Sequence, residues 1–350
     1  MKTIRDIDVK NKTILVRVDY NVPLKNNTVE NDLRIRASLP TIQKLLEDGA
    51  KKIVLISHLG RPEGKENPDF SLSSVAKNLQ KLLPNQKIGF YPLPKPNEKI
   101  EIPSNIKIAL LENLRFDPKE EANDSEFIKN IADSVDADIY VQDGFAVVHR
   151  AHASTDAIKK HLPIYAGLLL EKEVENIKKV LKNPESPVLL IIGGSKIEDK
   201  QPLIEKFLKI ADQIVVGGKI AADGYKPNNP KIYVAEDFDE DTSGRKLDIG
   251  PLSTAKTTDY ISKAKTIIWN GLLGYAEDPA YATASTIVAE TIGEKTNTTS
   301  IICGGDTTGF VENLVKDHPN LNYSLISTGG GAALELLLDK ELPGLKAISS

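Results

Sequence analysis

A glycine-rich turn near the middle of the chain has the residue types of a phosphate site. Val188–Ile192 is a run of five apolar residues without alternation, as expected for a strand buried on both faces of a parallel sheet. Gly193 and Gly194 follow it, and helical apolar spacing begins soon afterwards. Free N–H groups at a helix N-terminus attract anions, and Lys196 and Lys200 add two ammonium groups. The stretch predicts a phosphate site; the alternative is an ordinary strand–helix corner with solvated lysines.

Other predicted strands of the second half also end in glycine. One such turn contains Asp306, and Mg²⁺ bound to a nucleotide takes one or two carboxylates of this kind. The histidines and the one cysteine lack the spacing of a zinc site. Glycine is common in turns, so the pattern matters more than any one member. Together the turns predict a polyphosphate site with magnesium at Asp306; their glycines are Gly193, Gly194, Gly217, Gly218, Gly271, Gly304, Gly305, Gly329, Gly330 and Gly331.

Strand ends in the first half carry arginine and imidazole instead. Three of the five histidines lie beside arginines at these ends, which scattered surface residues would not do. Parallel sheets bind ligands at the carboxyl ends of their strands. We therefore expect a basic pocket for a small, highly anionic molecule, with solvated surface residues as the alternative. Its candidate residues are Arg17, Asp19, Asn21, His58, Arg61, Arg115, His149, Arg150 and His152.

Short apolar strands alternate with amphipathic helices, which predicts an α/β fold with doubly wound parallel sheets. A long helix over residues 166–183 is the expected spacer between two domains. Predicted strands of the first half cover residues 13–18, 52–56, 107–111 and 138–141. The pattern resumes after the spacer in QIVV, KIYV, TIIW, TSIIC and YSLIST.

The composition is that of an ordinary globular protein, and 350 residues leave room for two domains. A net charge of −4 argues against bulk binding to nucleic acid. One cysteine, Cys303, excludes an internal disulfide framework and fits a reducing compartment. No signal region or membrane-length apolar run occurs in the sequence. The expectation is a soluble cytoplasmic protein.

The chain resembles the phosphoglycerate kinases over almost its full length. The resemblance implies two Rossmann-like domains joined by a long helix and a hinge, with a tail that returns to the first domain. The implied boundaries are 1–165 for triose binding, 166–183 for the helix, 184–326 for nucleotide binding and 327–350 for the glycine loop and tail. The matching segments, in the family's order, are LVRVDYNVPL, DLRIRASLPTI, SHLGRP, LLENLRF, HRAHAST, GGSKIEDK, LDIGP, IIWNG, GGDTT and STGGGAALELL.

The implied activity is the glycolytic phosphoryl transfer between 1,3-bisphosphoglycerate and MgADP, giving 3-phosphoglycerate and MgATP in a closed, monomeric, two-domain enzyme. Arg34, Lys196, Gly329 and Gly330 match catalytic positions. Triose binding is implied for Arg17, Asp19, Asn21, Arg34, His58, Leu59, Gly60, Arg61, Arg115, His149, Arg150 and His152. Nucleotide binding is implied for Gly194, Lys200, Gly217, Gly218, Glu277, Gly304, Gly305, Asp306 and Thr307, with Asp306 also the magnesium ligand.

The nucleotide domain departs from the family pattern. Between residues 225 and 248 the chain is several dozen residues shorter than usual, and Lys219 stands where a third glycine is common. Both changes fall at the expected adenine slot, so we expect weak discrimination between adenine and guanine. A fold-back of KPNNPKIY that rebuilds the wall is the alternative.

Two other functions are consistent with the same resemblance. One is a non-catalytic relative that binds anions or nucleotides, but loss of Arg34, Lys196 or Asp306 would then be expected, and all are present. The other is a kinase with a different acceptor, which the complete set of triose residues disfavours.

Overall fold

The computed structural model describes residues 1–349, which divide into two compact units. The first comprises Met1–Lys172 with the chain from Glu341 onward, and the second is Glu173–Lys340. The strands are β1 Thr13–Arg17, β2 Leu24–Lys25, β3 Thr28–Val29, β4 Lys52–Ile56, β5 Ile88–Tyr91, β6 Ile108–Leu111, β7 Ile139–Gln142, β8 Ile164–Ala166, β9 Val188–Ile192, β10 Gln213–Val216, β11 Ile232–Val234, β12 Phe238–Glu240, β13 Lys246–Ile249, β14 Thr266–Asn270, β15 Thr299–Cys303 and β16 Leu325–Ile326. The α-helices are α1 Leu33–Glu47, α2 Ser73–Leu82, α3 Ser125–Ser134, α4 Leu168–Lys182, α5 Ile197–Phe207, α6 Gly218–Ala222, α7 Pro251–Lys263, α8 Thr283–Gly293, α9 Gly305–Asp317, α10 Gly331–Leu337 and α11 Pro343–Ser349.

The first unit is built on a six-stranded parallel sheet. Its strand order is β5-β6-β4-β1-β7-β8, with β1 in register between β4 and β7. Every residue of β1, β6 and β7 is buried, which explains why the apolar residues of these strands follow one another without alternation. Because the strands are parallel, Arg17 at the end of β1 lies beside Ile56 and Gln142 at the ends of its neighbours. The sheet therefore gathers the predicted basic strand ends at one edge.

The second unit has a parallel sheet with the order β11-β10-β9-β14-β15-β16. Counted along the chain this is the order 3-2-1-4-5-6 of doubly wound nucleotide-binding sheets. The chain runs outward from β9 in both directions, so the switch point lies between the ends of β9 and β14. The predicted fold class, two doubly wound parallel α/β sheets, is confirmed. A small antiparallel hairpin, β12–β13, was not predicted and lies within the shortened stretch.

Helix α4 begins later than predicted, because residues 164–166 form strand β8 instead. Asp143, directly after β7, holds the start of the helix. Its Oδ1 accepts hydrogen bonds from the backbone N–H groups of Leu169, at 3.0 Å, and Leu170, at 3.2 Å. A Cβ at Gly167 would come within 2.1 Å of that same oxygen. The end of β7 and the first turn of α4 are thus joined by a buried carboxylate.

Asp143 should make stability depend on pH. Burial raises its pKa to about 6, against an ordinary value of 3.8, although hydrogen bonds to the carboxylate oppose the shift. The folded state therefore favours the protonated form. The pKa shift of Asp143 contributes about 3 kcal/mol to the free energy of unfolding at low pH, and this contribution is lost as pH rises from 3.8 through 6. About 2 kcal/mol of the loss should fall between about pH 4.5 and about pH 6.5.

Urea unfolding followed by circular dichroism at those two pH values checks this. Asp143→Asn cannot ionise, so the variant should lose less unfolding free energy over the interval than the wild type does. Asp248, whose pKa burial also raises to about 6, is present in both proteins and cancels in the comparison. Equal pH dependence of the two proteins would contradict the expected shift of Asp143.

No helix within residues 1–349 is both long enough and apolar enough to cross a membrane.

Candidate functional site

A cavity of about 740 Å³ opens in the second unit, where β9, β14 and β15 end. Its walls come from the turns after these strands, the first turns of α5 and α9, and the β12–β13 hairpin. Eight of the predicted nucleotide and catalytic residues line it: Gly194, Lys196, Lys200, Glu277, Gly304, Gly305, Asp306 and Thr307. Residues outside the predicted set of site residues also line it, among them Lys246, Leu247, Tyr275, Phe310 and Asn313.

The floor of the cavity is a close meeting of two backbones at the switch point. Gly193 N–H donates to the carbonyl of Asn270 at 3.1 Å, and Gly194 N–H donates to that of Leu272 at 2.9 Å. A Cβ at Gly193 would lie 2.1 Å from the Leu272 oxygen, and Gly271 has a φ of +103°. Glycine is therefore required at these turns by the contact between strands as well as by any ligand.

Two helices begin at the cavity wall. Helix α5 starts directly after Lys196, and α9 starts at Gly305 with Asp306 in its first turn. Gly304, which precedes α9, has a φ of +94°. The first N–H groups of a helix lack partners within it and carry the positive end of the dipole. Two such ends in one cavity suit a ligand with several negative charges.

The two lysines of the predicted phosphate turn differ in their surroundings. Lys196 is exposed at the wall of the cavity, whereas Lys200 is half-buried and donates from Nζ to Oδ1 of Asn270. Asn270 in turn donates from Nδ2 to the sulfur of Cys303 at 3.2 Å. Burial lowers the pKa of Lys200 and raises that of Cys303 to about 11. Lys200 is thus held in place, and the thiol stays protonated at neutral pH.

The donor set fits a magnesium ion held mainly by a nucleotide. Within residues 1–349 no cluster of three or more His, Cys, Asp or Glu side chains could hold a metal by itself. Asp306 offers one exposed carboxylate at the cavity. Thr307 is buried, and its hydroxyl oxygen accepts the N–H of Gly271 at 2.8 Å, so the hydroxyl proton is left for another acceptor. Magnesium on phosphates needs only one or two protein carboxylates, which agrees with this arrangement.

A second polar cluster lies in the first unit, around the buried Arg17. Its guanidinium donates from Nε to the Ser154 hydroxyl at 2.9 Å and contacts Nδ1 of His58 through Nη2 at 3.1 Å. Burial, then the charges of Arg17, Arg115, Arg150 and Arg34, lower the pKa of His58 well below its ordinary value. His58 is therefore neutral, because burial and the four neighbouring guanidinium groups all disfavour its protonated form.

Asp19 and Asn21 organise the exposed side of this cluster. Arg34 donates from Nη1 to Oδ2 of Asp19 at 2.6 Å and to the carbonyl of Asn21 at 3.2 Å. The side-chain oxygen of Asn21 accepts the N–H of Gly60 at 2.9 Å. The ends of β1 and β4 and the first turn of α1 thus form one network that orients the guanidinium of Arg34.

Arg115 completes the network from the end of β6. It donates from Nη1 to the Gly60 carbonyl at 2.8 Å, and its Nε lies 3.1 Å from Oε1 of Glu121. Burial and the neighbouring arginines lower the pKa of His152 to about 4. The cluster is electropositive and contains two neutral imidazoles. It therefore has the kinds of side chain that the sequence predicted for the basic pocket.

The model of the family described as phosphoglycerate kinase matches residues 4–232 and again 221–340. A protein named phosphoglycerate kinase from Dictyoglomus turgidum is 39% identical over an alignment that covers 99% of this chain and 97% of that protein. One of the same name from Coprothermobacter proteolyticus is 38% identical, with 99% and 98% covered.

The chain belongs to the phosphoglycerate kinase family. Solved structures agree with this. Phosphoglycerate kinase from Coxiella burnetii superposes with a TM-score of 0.80 at 33% identity, covering 99% of this chain and 98% of that one. The enzyme from Pyrococcus horikoshii gives a TM-score of 0.83 at 26% identity, with 100% and 98% covered.

This phosphoglycerate kinase family member is shorter than its Dictyoglomus turgidum relative. The alignment with the Dictyoglomus turgidum protein spans 401 positions, 51 more than the 350 residues of the chain. The family model breaks into two matches that overlap at residues 221–232, which falls in the region where the sequence indicated a shortening. Strand β11 nonetheless pairs with β10 there, and the following hairpin supplies Lys246 and Leu247 to the cavity wall.

Four of the glycines predicted at catalytic or nucleotide-binding positions are absent from the lining of the cavity, as are Gly193 and Gly331 of the other predicted turn glycines. Gly217 and Gly218 are buried, and a Cβ on Gly218 would lie 2.9 Å from both Gly194 N and Leu272 O. Gly329 is buried and donates its N–H to the Ser327 hydroxyl at 3.1 Å, whereas a Cβ on Gly330, which has a φ of +48°, would meet no heavy atom within 4 Å. The first two therefore support the turn that forms the floor. In the first unit, Leu59 is buried and Arg61 is exposed.

Sequence reasoning missed the Tyr275 side of the cavity. The Tyr275 hydroxyl donates to Oε2 of Glu277 at 2.7 Å, and both residues line the cavity. Tyr275 was not predicted as a site residue. Lys246 and Leu247 belong to the shortened stretch that was expected at the adenine slot, but neither was predicted individually, because only the tertiary fold brings the hairpin to this place.

Proposed function

We propose that this chain catalyses the reversible transfer of a phosphoryl group between 1,3-bisphosphoglycerate and MgADP, giving 3-phosphoglycerate and MgATP. The observation that carries the proposal is the pairing of two different anion sites in one chain. One is an arginine cluster with neutral histidines, and the other is a glycine-lined cavity with two helix N-termini. A phosphoryl transfer between two small anions needs both kinds of site.

The protein residues act by positioning and by neutralising charge. Arg115 and Arg150 hold the negative groups of the triose, the buried Arg17 adds positive charge behind them, and the neutral His58 donates a hydrogen bond without adding charge. Arg34, oriented by Asp19, meets charge at the transferring group, and Lys196 does so from the nucleotide side. Such electrostatic preorganisation is the main term in phosphoryl transfer, where the protein has little covalent chemistry to do.

Asp306 would hold magnesium on the nucleotide phosphates, and the ion would neutralise charge that develops on them. Lys200 and the N–H groups at the starts of α5 and α9 would bind the remaining phosphate oxygens. Thr307 retains a hydroxyl proton for the same purpose, and Glu277, held by Tyr275, would bind the ribose.

We also propose that transfer takes place in a closed state, reached by a hinge within residues 166–183. The arginine cluster belongs wholly to the first unit and the glycine-lined cavity wholly to the second. 3-Phosphoglycerate with MgADP cannot react, so this pair should hold the closed state. Small-angle scattering should then give a smaller radius of gyration with both ligands than with either alone. Equal dimensions in all four ligand states would contradict closure.

A coupled assay for ATP formation from 1,3-bisphosphoglycerate and MgADP tests the proposed function. Arg34→Ala protein purified in the same way serves as the control for kinase carried over from the expression host. Activity in the wild type well above that control is expected. A wild type that binds both ligands but forms no ATP would instead indicate a non-catalytic relative. Action as a cytoplasmic monomer stays a prediction.

Discrimination between nucleotide bases should be weak in this protein. The cavity wall combines apolar Leu247, Leu272 and Phe310 with the cationic Lys246 and Lys219. Lys219 is itself paired with Asp223 at 2.6 Å on the exposed side of α6. An apolar slot that rejects an altered base contributes only ~1–3 kcal/mol unless buried polar groups read its edge.

We therefore expect kcat/KM for MgADP to exceed that for MgGDP by less than about 100-fold, the upper end of that range. Both nucleotides are measured at saturating 1,3-bisphosphoglycerate. A larger preference for adenine would mean that the hairpin rebuilds a selective slot and that this prediction is wrong.

A further inference from the structure

The arginine cluster contains a buried carboxylate that the proposed function does not use. Glu120 is 0% exposed and lies between the end of β6 and helix α3. Both of its oxygens accept hydrogen bonds from Ser154: Oε1 from the hydroxyl at 2.6 Å, and Oε2 from the backbone N–H at 3.1 Å. Burial raises the pKa of Glu120, against the effect of Arg17 and these hydrogen bonds. A carboxylate buried at this cost calls for a partner of opposite charge.

Arg17 is that partner, and the hydroxyl of Ser154 connects the two charged groups. Its side chain is 1% exposed, and its Nε lies 2.9 Å from the same Ser154 oxygen. A guanidinium only donates hydrogen bonds, so the hydroxyl oxygen must accept from Arg17. The one hydroxyl proton is then left to donate to Glu120. The direction of both bonds is fixed, and the two buried charges are joined by a single hydroxyl.

Other contacts hold the same arrangement. The Tyr140 hydroxyl donates to the carbonyl of Ser154, and Nη1 of Arg17 donates to the carbonyl of Val18. Tyr140 belongs to β7 and Val18 follows β1, the two strands paired at this edge of the sheet. The guanidinium is therefore fixed on several sides, and its Nη2 is directed to one place.

That place is Nδ1 of His58, 3.1 Å away. Because Arg17 cannot accept a hydrogen bond, Nδ1 must present its lone pair and carries no proton. A neutral imidazole has one proton, which must then be on Nε2. The surrounding charges keep the ring neutral, as described above. The contact thus selects one tautomer, in which Nε2–H is the group able to donate to an anion.

We propose that Glu120 and Ser154 are positioning residues that hold Arg17 against Nδ1 of His58, so that His58 binds the anionic substrate as the Nε2–H tautomer. The identity of that anion as the triose rests on the proposed function. The tautomer itself is a property of the unliganded protein and is tested separately from activity.

Nitrogen-15 NMR of the full chain without ligands tests the tautomer. In the wild type, His58 should show a protonated Nε2 and an unprotonated Nδ1, and the signals missing from a His58→Asn spectrum identify it. Ser154→Ala removes the link to Glu120, so His58 should shift toward a mixture of tautomers. A wild-type His58 with its proton on Nδ1 would overturn the proposal, whatever the activity.

Kinetics of the same variants separate positioning from general damage. Loss of a hydrogen bond to a charged group costs ~1.5–3 kcal/mol, so KM for 1,3-bisphosphoglycerate should rise roughly 10–100-fold in Ser154→Ala. KM for MgADP should stay near the wild-type value. Glu120→Gln keeps the volume of the side chain and removes its charge, and it should also raise KM for 1,3-bisphosphoglycerate. Ser154→Thr keeps the hydroxyl and should restore both the tautomer and KM.

Ser134→Ala is the matched control. Ser134 is a buried serine of the same unit whose hydroxyl donates to the Ile131 carbonyl at 2.7 Å, within α3. It should leave the His58 spectrum and both KM values unchanged. If Ser154→Ala and Glu120→Gln raise both KM values together, or leave the His58 tautomer as it was, the residues are only structural and the proposal fails. A wild type that forms no ATP but shows the predicted tautomer would overturn the proposed function and leave the positioning of His58 intact.

Discussion

Replacing Arg34 by alanine should lower kcat by a factor of about 10²–10³ while the protein stays folded, because one lost interaction with charge at the transferring group commonly costs that much. The guanidinium is held by Asp19 at 2.6 Å, yet the side chain is 33% exposed. It is thus oriented by the protein and still accessible to a ligand. Removing it takes away a charge that matters at the transition state and little that matters for packing.

The same helix supplies the control. Arg36, two residues later in α1, is 57% exposed and pairs with Asp32 at 2.8 Å in an i,i+4 arrangement. Such surface pairs contribute about 0.3–0.5 kcal/mol, so Arg36→Ala should leave kcat and stability nearly unchanged. Arg34→Lys keeps the positive charge but cannot reproduce the planar fork of the guanidinium, so it tests what the guanidinium contributes beyond its charge. A folded Arg34→Ala protein with near wild-type kcat would remove Arg34 from the catalytic set.

The central strands could be predicted from sequence because burial on both faces leaves an unmistakable apolar run. Among the edge strands, those of the second sheet were predicted, in KIYV and YSLIST, whereas those of the first sheet were not. Ile88–Tyr91 has only one buried residue, and residues 164–166, after Pro163, are too few to show a period. The start of α4 was misplaced for the same reason. Which segments lie at the edge of a sheet is decided by tertiary contacts, and local spacing does not report them.

The residues of the candidate site likewise divide into those that the sequence predicts and those that only the fold brings together. Residues at the end of a buried strand or in the turn after it, such as Arg17 and Lys196, could be predicted because strand and turn are adjacent in the sequence. Glu120 and Ser154 meet Arg17 only through the fold: Ser154 lies 34 residues from Glu120 and 137 from Arg17. Neither belongs to a motif with a recognised mechanism. Positioning residues of this kind are visible only once side-chain contacts are known.

Lys196→Ala should also lower kcat by about 10²–10³, and the loss should fall on kcat rather than on KM for MgADP. Lys196 is exposed, lines the cavity and immediately precedes α5, where an extended chain conformation leads into the helix. Lys200, four residues on, is half-buried and fixed to Asn270. A lysine fixed in the unliganded protein binds ground state and transition state alike. An exposed lysine at the helix start can follow the transferring group.

The two lysines should therefore differ in kinetics. Lys200→Ala removes binding that ground state and transition state share, so its main effect should be a higher KM for MgADP. Lys196→Ala should keep KM near the wild-type value and lose kcat. Lys209→Ala is the control: it removes an exposed lysine just beyond the end of α5 that is not part of the cavity lining, and it should change neither constant. If Lys196→Ala instead raises KM at unchanged kcat, Lys196 binds nucleotide in the ground state, and its assignment to the transferring phosphoryl group is wrong.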